Sequence, residues 1–424
     1  MLNLFEQLKK LNKYRYGQLI FIFAITAGPF FSDTVRKVLF FLSIFCIDKA
    51  VLYETFYCRR GGAFKRYART LIFFWACLIL IPLVWGVDDV LERVRSIGWP
   101  LEMVLWMCVA QLFARDAFFI ENIKKASICA CVLYSLIAIP FFISTNFVID
   151  HTFYYAWPCF LASWSAGSII SCLSAWIIYQ LFIVNGMSRW HSAMCSFFYI
   201  LTSFVMFMTL YVTFWVVMTA QILTILFVSV YLLKKKISVF VKKMILIIGG
   251  IVLVFSMVFM ASPKILAAIE PQYQQLLMFN KDVEAFTSKR NLVWKEAIGL
   301  IMERPLTGYG WAEYENFNKL SMGHTHSSFL QIAWTAGLFP VVLFVGLLLQ
   351  LLYICINTLK RSSPNCALPV IVLLVAVAFL VNGTLDNLFN ATRRVSMLYW
   401  IYLSLPLCKA FLLDTFEDVD NDGK

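Results

Sequence analysis

Apolar stretches of about twenty residues recur along the chain, each near the length that carries a helix across a bilayer core. Twelve are predicted as membrane spans, near residues 17–32, 38–56, 70–87, 99–115, 126–144, 160–184, 193–210, 213–233, 244–261, 338–357, 366–383 and 395–413. None alternates apolar and polar residues as barrel strands do. Short polar breaks separate most of them. One break is long, from about Ser262 to Ser327. The expected fold is an all-α polytopic membrane protein, with about 12 transmembrane helices and one large helical loop outside the lipid. The expected divisions are 1–261 for spans one to nine, 262–327 for the loop, 328–413 for spans ten to twelve and 414–424 for a disordered acidic tail.

The long break has its own pattern. "RNLVWKEAIGLIMERP" reads as an amphipathic helix, with Leu292, Ala297, Leu300 and Ile301 roughly on one face and Pro305 ending it. "TGYGW" supplies two glycines for a tight turn. After "HTH", "SSFLQIAWTAG" starts a second helix that leads through Gly337 into span ten.

Charge gives the expected orientation. Basic residues gather at Lys9, Lys10, Lys13 and Arg15, at Arg59, Arg60, Lys65, Arg66 and Arg69, at Lys124 and Lys125, at Lys234 to Lys236 with Lys242 and Lys243, and at Lys360 and Arg361. With twelve spans these loops share one side, which the positive-inside rule makes cytoplasmic, as it does both termini. The long loop then lies outside the cytoplasm. Its seven basic residues are matched by seven acidic ones, so it has no bias against translocation.

Composition agrees with a membrane protein. The chain is 61% hydrophobic and 14% charged, against about 25% charged in soluble domains. The net charge of +12 is accounted for by the basic loops, and neither a basic face nor a nucleic-acid motif appears, so no nucleic-acid partner is expected. The 12 cysteines avoid the loop and form no CxxC, so neither disulfides nor a metal cluster is expected. The basic N-terminus is followed by no small-residue cleavage site, and the first helix reads as retained.

Chemistry-bearing residues concentrate in the loop. Arg290 opens its helix and His326 sits just before the next. An arginine suits a phosphate in a bidentate fork, and a neutral histidine can take a proton from a hydroxyl. On residue type alone the same pair could be a helix-cap arginine and a surface histidine. No P-loop, GxGxxG, HExxH or carboxylate pair at metal spacing occurs. Asp48 and Lys49 lie in span two but near its end, so they are left out of the site.

The ordered set Arg290-x3-Trp294-x2-Ala297, Pro305-x2-Gly308-x-Gly310, His324-x-His326 and Gly337 resembles the signature of the O-antigen ligase and polymerase family. The resemblance is close over about 288–340 and loose over the twelve-span plan. It implies one large periplasmic loop and a glycosyltransferase in the bacterial inner membrane. The implied donor is a polysaccharide on undecaprenyl diphosphate, and in ligases the acceptor is a hydroxyl of the lipid A–core oligosaccharide. Arg290 matches the family's loop arginine, expected to engage the diphosphate. His326 matches the histidine expected to activate the acceptor hydroxyl, although Ser327 follows it where asparagine is common. His324 is expected to help position the site. Gly308, Tyr309, Gly310 and Trp311 are expected either to shape a sugar platform or to form an interfacial aromatic belt. Neither a cofactor nor a metal is expected, because the donor's diphosphate bond is already activated and guanidinium groups would stabilise the leaving group.

One departure stands out. Many members carry an arginine in a context like Ser-Arg-Gly-Ala-Trp, where this chain has Phe214 between Thr213 and Trp215. Arg393 and Arg394, at the outer mouth of span twelve, are the expected replacements, held by Asp386; they could also be interfacial anchors. Arg93 and Arg95 are weaker candidates because Asp88, Asp89 and Glu92 would neutralise them. Three functions remain open: a ligase, favoured because the Arg-to-His loop looks more like that branch; a polymerase acting on lipid-linked repeats; and a transporter or flippase. Transporters place charges within their spans, which here are nearly free of them.

Overall fold

The computed structural model describes residues 12–30, 32–47, 62–144, 163–209, 211–261, 264–278, 290–320, 323–361, 366–389 and 393–411. Asp48 and Lys49, the acidic tail and parts of spans two and six and of the long loop lie outside the described residues.

The described chain is mostly helical, and no strand occurs among its residues. Its helices are α1 (Lys13–Thr26), α2 (Asp33–Ile44), α3 (Gly62–Trp85), α4 (Val90–Ser96), α5 (Gly98–Phe113), α6 (Ala117–Ser144), α7 (Ser163–Leu173), α8 (Ala175–Phe182), α9 (Arg189–Met208) and α10 (Val212–Phe227). They continue as α11 (Ile237–Ala261), α12 (Lys264–Leu277), α13 (Arg290–Glu303), α14 (Ser328–Ala336), α15 (Leu338–Arg361), α16 (Leu368–Leu385) and α17 (Arg393–Ser404). Side-chain caps start several of them. Asn12, Ser32, Asp89 and Ser188 each accept a backbone N–H three residues on, satisfying a donor that a helix start leaves orphaned.

Among the described residues, nine helices are long and apolar enough to cross a membrane. The other three predicted spans fall on α1, α2 and α17, which have 14, 12 and 12 residues. The run of α2 continues into residues 48–61, which lie outside the described ones; among the described residues α1 is followed by Gly28 and Pro29, and α17 by Pro406.

The buried centre of the bundle is apolar, with a polar seam through it. The most extensive helix pairing is α10 against α16. Gln221 of α10 donates to the carbonyls of Ser171 and Leu374. Asn382 donates to Ser168, and the Tyr399 hydroxyl meets both Ser171 and the Ser168 carbonyl. Tyr402 accepts from the indole of Trp176. With apolar lipid outside, such interhelical bonds hold helices in register where burial of apolar surface gives little preference. They also set levels along the bundle. Phe214, near the start of α10, packs on Gly167 beside Ser168, the partner of Asn382, and Gln221 in its middle meets Leu374, so the helix runs away from Asp386 toward its end.

Candidate functional site

Local sequence first places the loop helix. Val293, Ala297 and Ile301 of α13 recur at intervals of four and are buried, packing with Tyr309, Tyr314, Ala333 and Trp334. The predicted face is thus correct in period, with Val293 taking the innermost place expected of Leu292. The turn after α13 is tied to α14: Tyr309 and Gly310 donate to the carbonyls of Trp334 and Thr335. Gly308 has φ 63°, and a Cβ there would come within 2.4 Å of the Trp334 carbonyl oxygen, so only glycine fits.

That packing presents the exposed face of α13 to the segment before α14. The indole N–H of Trp294 donates to the carbonyl of His326, at 3.3 Å. The backbone N–H of His326 donates to Nδ1 of His324, at 3.3 Å. His326 itself has φ 49°, the left-handed region that non-glycine residues seldom occupy. The neighbouring Thr325 is tied to Gln331 and to the Ser327 carbonyl.

Asp386 completes the arrangement. It ends α16 and is only 6% exposed. Its Oδ1 lies 3.4 Å from Nδ1 of His326, and its Oδ2 lies 3.6 Å from a guanidinium nitrogen of Arg290. The following turn is anchored where Leu388 N–H donates to Ser328 Oγ, at 2.9 Å. Burial pushes the Asp386 carboxyl up, but His326 and Arg290 outweigh it and hold the group below the usual carboxylate range. His324 is pushed down to about 4, first by burial and then by His326. It is therefore neutral at pH 7, as its Nδ1 acceptor role requires.

The chemical capacity follows. Nδ1 of His326 makes no hydrogen bond and faces the Asp386 carboxylate, so an imidazole carrying its proton there would leave Nε2 as the nitrogen able to take one. Arg290 adds a fixed positive charge beside the same carboxylate. His324, His326 and Asp386 also offer ligand atoms all within 4.8 Å of one another, a set that could hold a metal ion. The guanidinium of Arg290 works against a cation there by like-charge repulsion.

Residues 197–345 match the family model described as O-antigen ligase. This stretch is similar to the O-antigen ligase family. The match spans α13, the His326 segment and α14, and supports a ligase- or polymerase-type glycosyltransferase of lipopolysaccharide biosynthesis. No curated protein matches the chain.

The remaining expected site residues fall as follows. Tyr309 is buried, its ring stacked on Trp334 at 4.2 Å and its hydroxyl donating to Glu303. Gly308, Tyr309 and Gly310 pack α13 against α14. Trp311 differs: it is half-buried, lies near Trp99 and Phe389, and its indole N–H has no partner. Asp386 was expected to hold Arg393 and Arg394, but it faces Arg290 and His326. Arg394 instead pairs with Asp33 at 3.1 Å, and one of its terminal nitrogens is buried without a partner. Arg393 opens α17, and its side chain lies outside the described residues.

Phe214 is fully buried and fills the space above Gly167, where a Cβ would strike its ring at 2.4 Å. Arg95 pairs with Glu92 as expected, whereas Arg93 caps α3 by donating to Leu83 and Val84. A buried charged group was missed altogether. Arg36 of α2 is 0% exposed, with Glu102 at 3.2 Å, Asp33 at 3.5 Å and the Trp106 ring beneath it. The signal was available: Asp33, Arg36 and Lys37 stand together at the head of an apolar run.

Proposed function

We propose that this protein is an O-antigen ligase, transferring a polysaccharide from undecaprenyl diphosphate to the lipid A–core oligosaccharide at the periplasmic face of the inner membrane. The observation that carries the reading is the buried Asp386 carboxylate between Arg290 and His326. His326 Nε2 takes the proton of the acceptor hydroxyl as its oxygen attacks the anomeric carbon. The bond from that carbon to the diphosphate oxygen breaks with inversion, and the electron pair leaves with the diphosphate. Arg290 stabilises the charge that develops there. The unpartnered nitrogen of Arg394 supports a second guanidinium contact, with Arg393 beside it. Trp311, half-buried and with an unpartnered indole N–H, is the aromatic residue suited to stack on sugar. Neither metal nor cofactor takes part in this scheme. Both termini and the basic loops lie on the cytoplasmic side.

The polymerase reading uses the same chemistry with a lipid-linked repeat as acceptor. The lipopolysaccharide ladder of a strain lacking the protein separates the two. Accumulation of carrier-linked polymer of normal length supports the ligase. Transfer of single repeats alone supports the polymerase, and an accumulation of carrier-linked material on the cytoplasmic side supports a flippase.

A further inference from the structure

At the far end of α10 and α11 from Asp386, a one-turn π-helix (Val228–Leu232) and the segment Leu233–Lys236 form a narrow crevice open to the surface. Lys235, Lys236 and Lys243 line it, with Ser229, Phe182 and Phe240. No carboxylate is among its lining residues. The ammonium of Lys235 donates to the Ile183 carbonyl and to Asn185, and that of Lys243 to the Leu181 carbonyl. These contacts cap the end of α8 but cancel no charge. Burial first, and the Lys243 charge second, hold Lys235 down to about 8, so it is still mostly protonated at neutral pH. The Ser229 hydroxyl is 2% exposed, lines the crevice and has no partner.

Two half-buried like charges and an unmet hydroxyl around one crevice call for an anion with acceptor oxygens. The surroundings indicate where the anion comes from. The Phe182 and Phe240 rings lie 4.6 Å apart at the wall. From there an outward stripe of Val241, Ile245, Ile248 and Val252 runs along α11, all exposed. This is a polar head site continued by an apolar track.

We propose that the crevice binds the phosphate headgroup of an anionic membrane lipid, in the leaflet opposite His326, with the acyl chains lying along the exposed face of α11. Lys235 and Lys243 neutralise the phosphate, Ser229 donates to it, and Lys236 stands at the mouth. Basic crevices between spans recognise such headgroups by charge at about fivefold in affinity per lysine.

The test uses the full chain in detergent, offered an equimolar mixture of phosphatidylglycerol and phosphatidylcholine, with retained lipid counted by native mass spectrometry. The wild type is expected to retain phosphatidylglycerol preferentially. Lys235→Gln/Lys243→Gln is expected to lose that preference by about thirtyfold. Should the double variant not fold, Lys236→Gln, which alters an exposed side chain, is expected to lose about fivefold. Equal retention of the two lipids by the wild type overturns the proposal, and so does undiminished preference in the variants. Displacement of the retained lipid by millimolar inorganic phosphate overturns the lipid assignment in favour of a soluble anion.

Discussion

The carboxylate of Asp386 lies 3.4 Å from Nδ1 of His326, although the two belong to different helical connections and meet only through folding. The contact is longer than a good hydrogen bond, as such contacts often are before substrate arrives. If Asp386 sets the orientation of the imidazole, the pair acts as a unit. His326→Ala and Asp386→Asn should each lower transfer by about 10²–10⁴-fold, and the double variant should fall little further. The measurement is capped lipopolysaccharide at matched protein level. Losses that multiply in the double variant would show that the two act separately.

Arg290 is expected to need its planar fork and not only its charge. Arg290→Lys should lower transfer by about 10²–10³-fold, the cost of one preorganised donor. Arg393→Ala/Arg394→Ala should impair transfer by a comparable factor if that pair holds the other side of the diphosphate. A wild-type rate in the double variant, inserted normally, would remove both from the site.

Trp294 donates its indole N–H to the backbone carbonyl of His326. Trp294→Phe keeps the ring and loses the hydrogen bond. Transfer should drop by roughly tenfold at most, the value of one hydrogen bond, with no change in the helical content of the purified protein. A loss as deep as that of His326→Ala would give the indole a direct part in the reaction.

Gly308→Ala should destabilise the loop by about 1–3 kcal/mol, since both its φ and the carbonyl of Trp334 exclude a side chain. A limited-proteolysis comparison with wild type would show faster cleavage between α13 and α14. Equal protection would mean that the turn relaxes without cost.

His324 gives a pH dependence with a definite sign. Its folded value is about 4 against an ordinary 6.5. Between those values the unfolded chain binds a proton that the folded chain refuses, so stability falls as the pH falls through that window. His324→Gln should flatten the dependence of Tm on pH between about 6.5 and 4. An unchanged slope would place the titration elsewhere.

The loop helix could be read from the sequence because its information is local: Val293, Ala297 and Ile301 recur with helical period, and Pro305 closes it. The partner of His326 could not. Asp386 was assigned to the arginines nearest in sequence, whereas the bond from Leu388 to Ser328 turns it toward the loop. The sequence leaves Tyr309 either in a sugar platform or in an interfacial belt, and its stacking on Trp334 is not legible there because that partner stands on the next helix. Arg36 was overlooked because three charged residues at the edge of an apolar run look like a span boundary, and only Glu102, from α5, makes that position a buried ion pair.

Gly167 and Phe214 form a lock that neither residue can leave alone. A methyl group on Gly167 strikes the ring, and trimming the ring leaves a void costing about 3–5 kcal/mol. An arginine at 214 would have to place a guanidinium in a volume shaped for a benzyl group. Placing there the arginine that the resemblance leads one to expect would therefore take a coordinated change on two helices, and single-residue grafts at this position should fail by misfolding before they can report on chemistry.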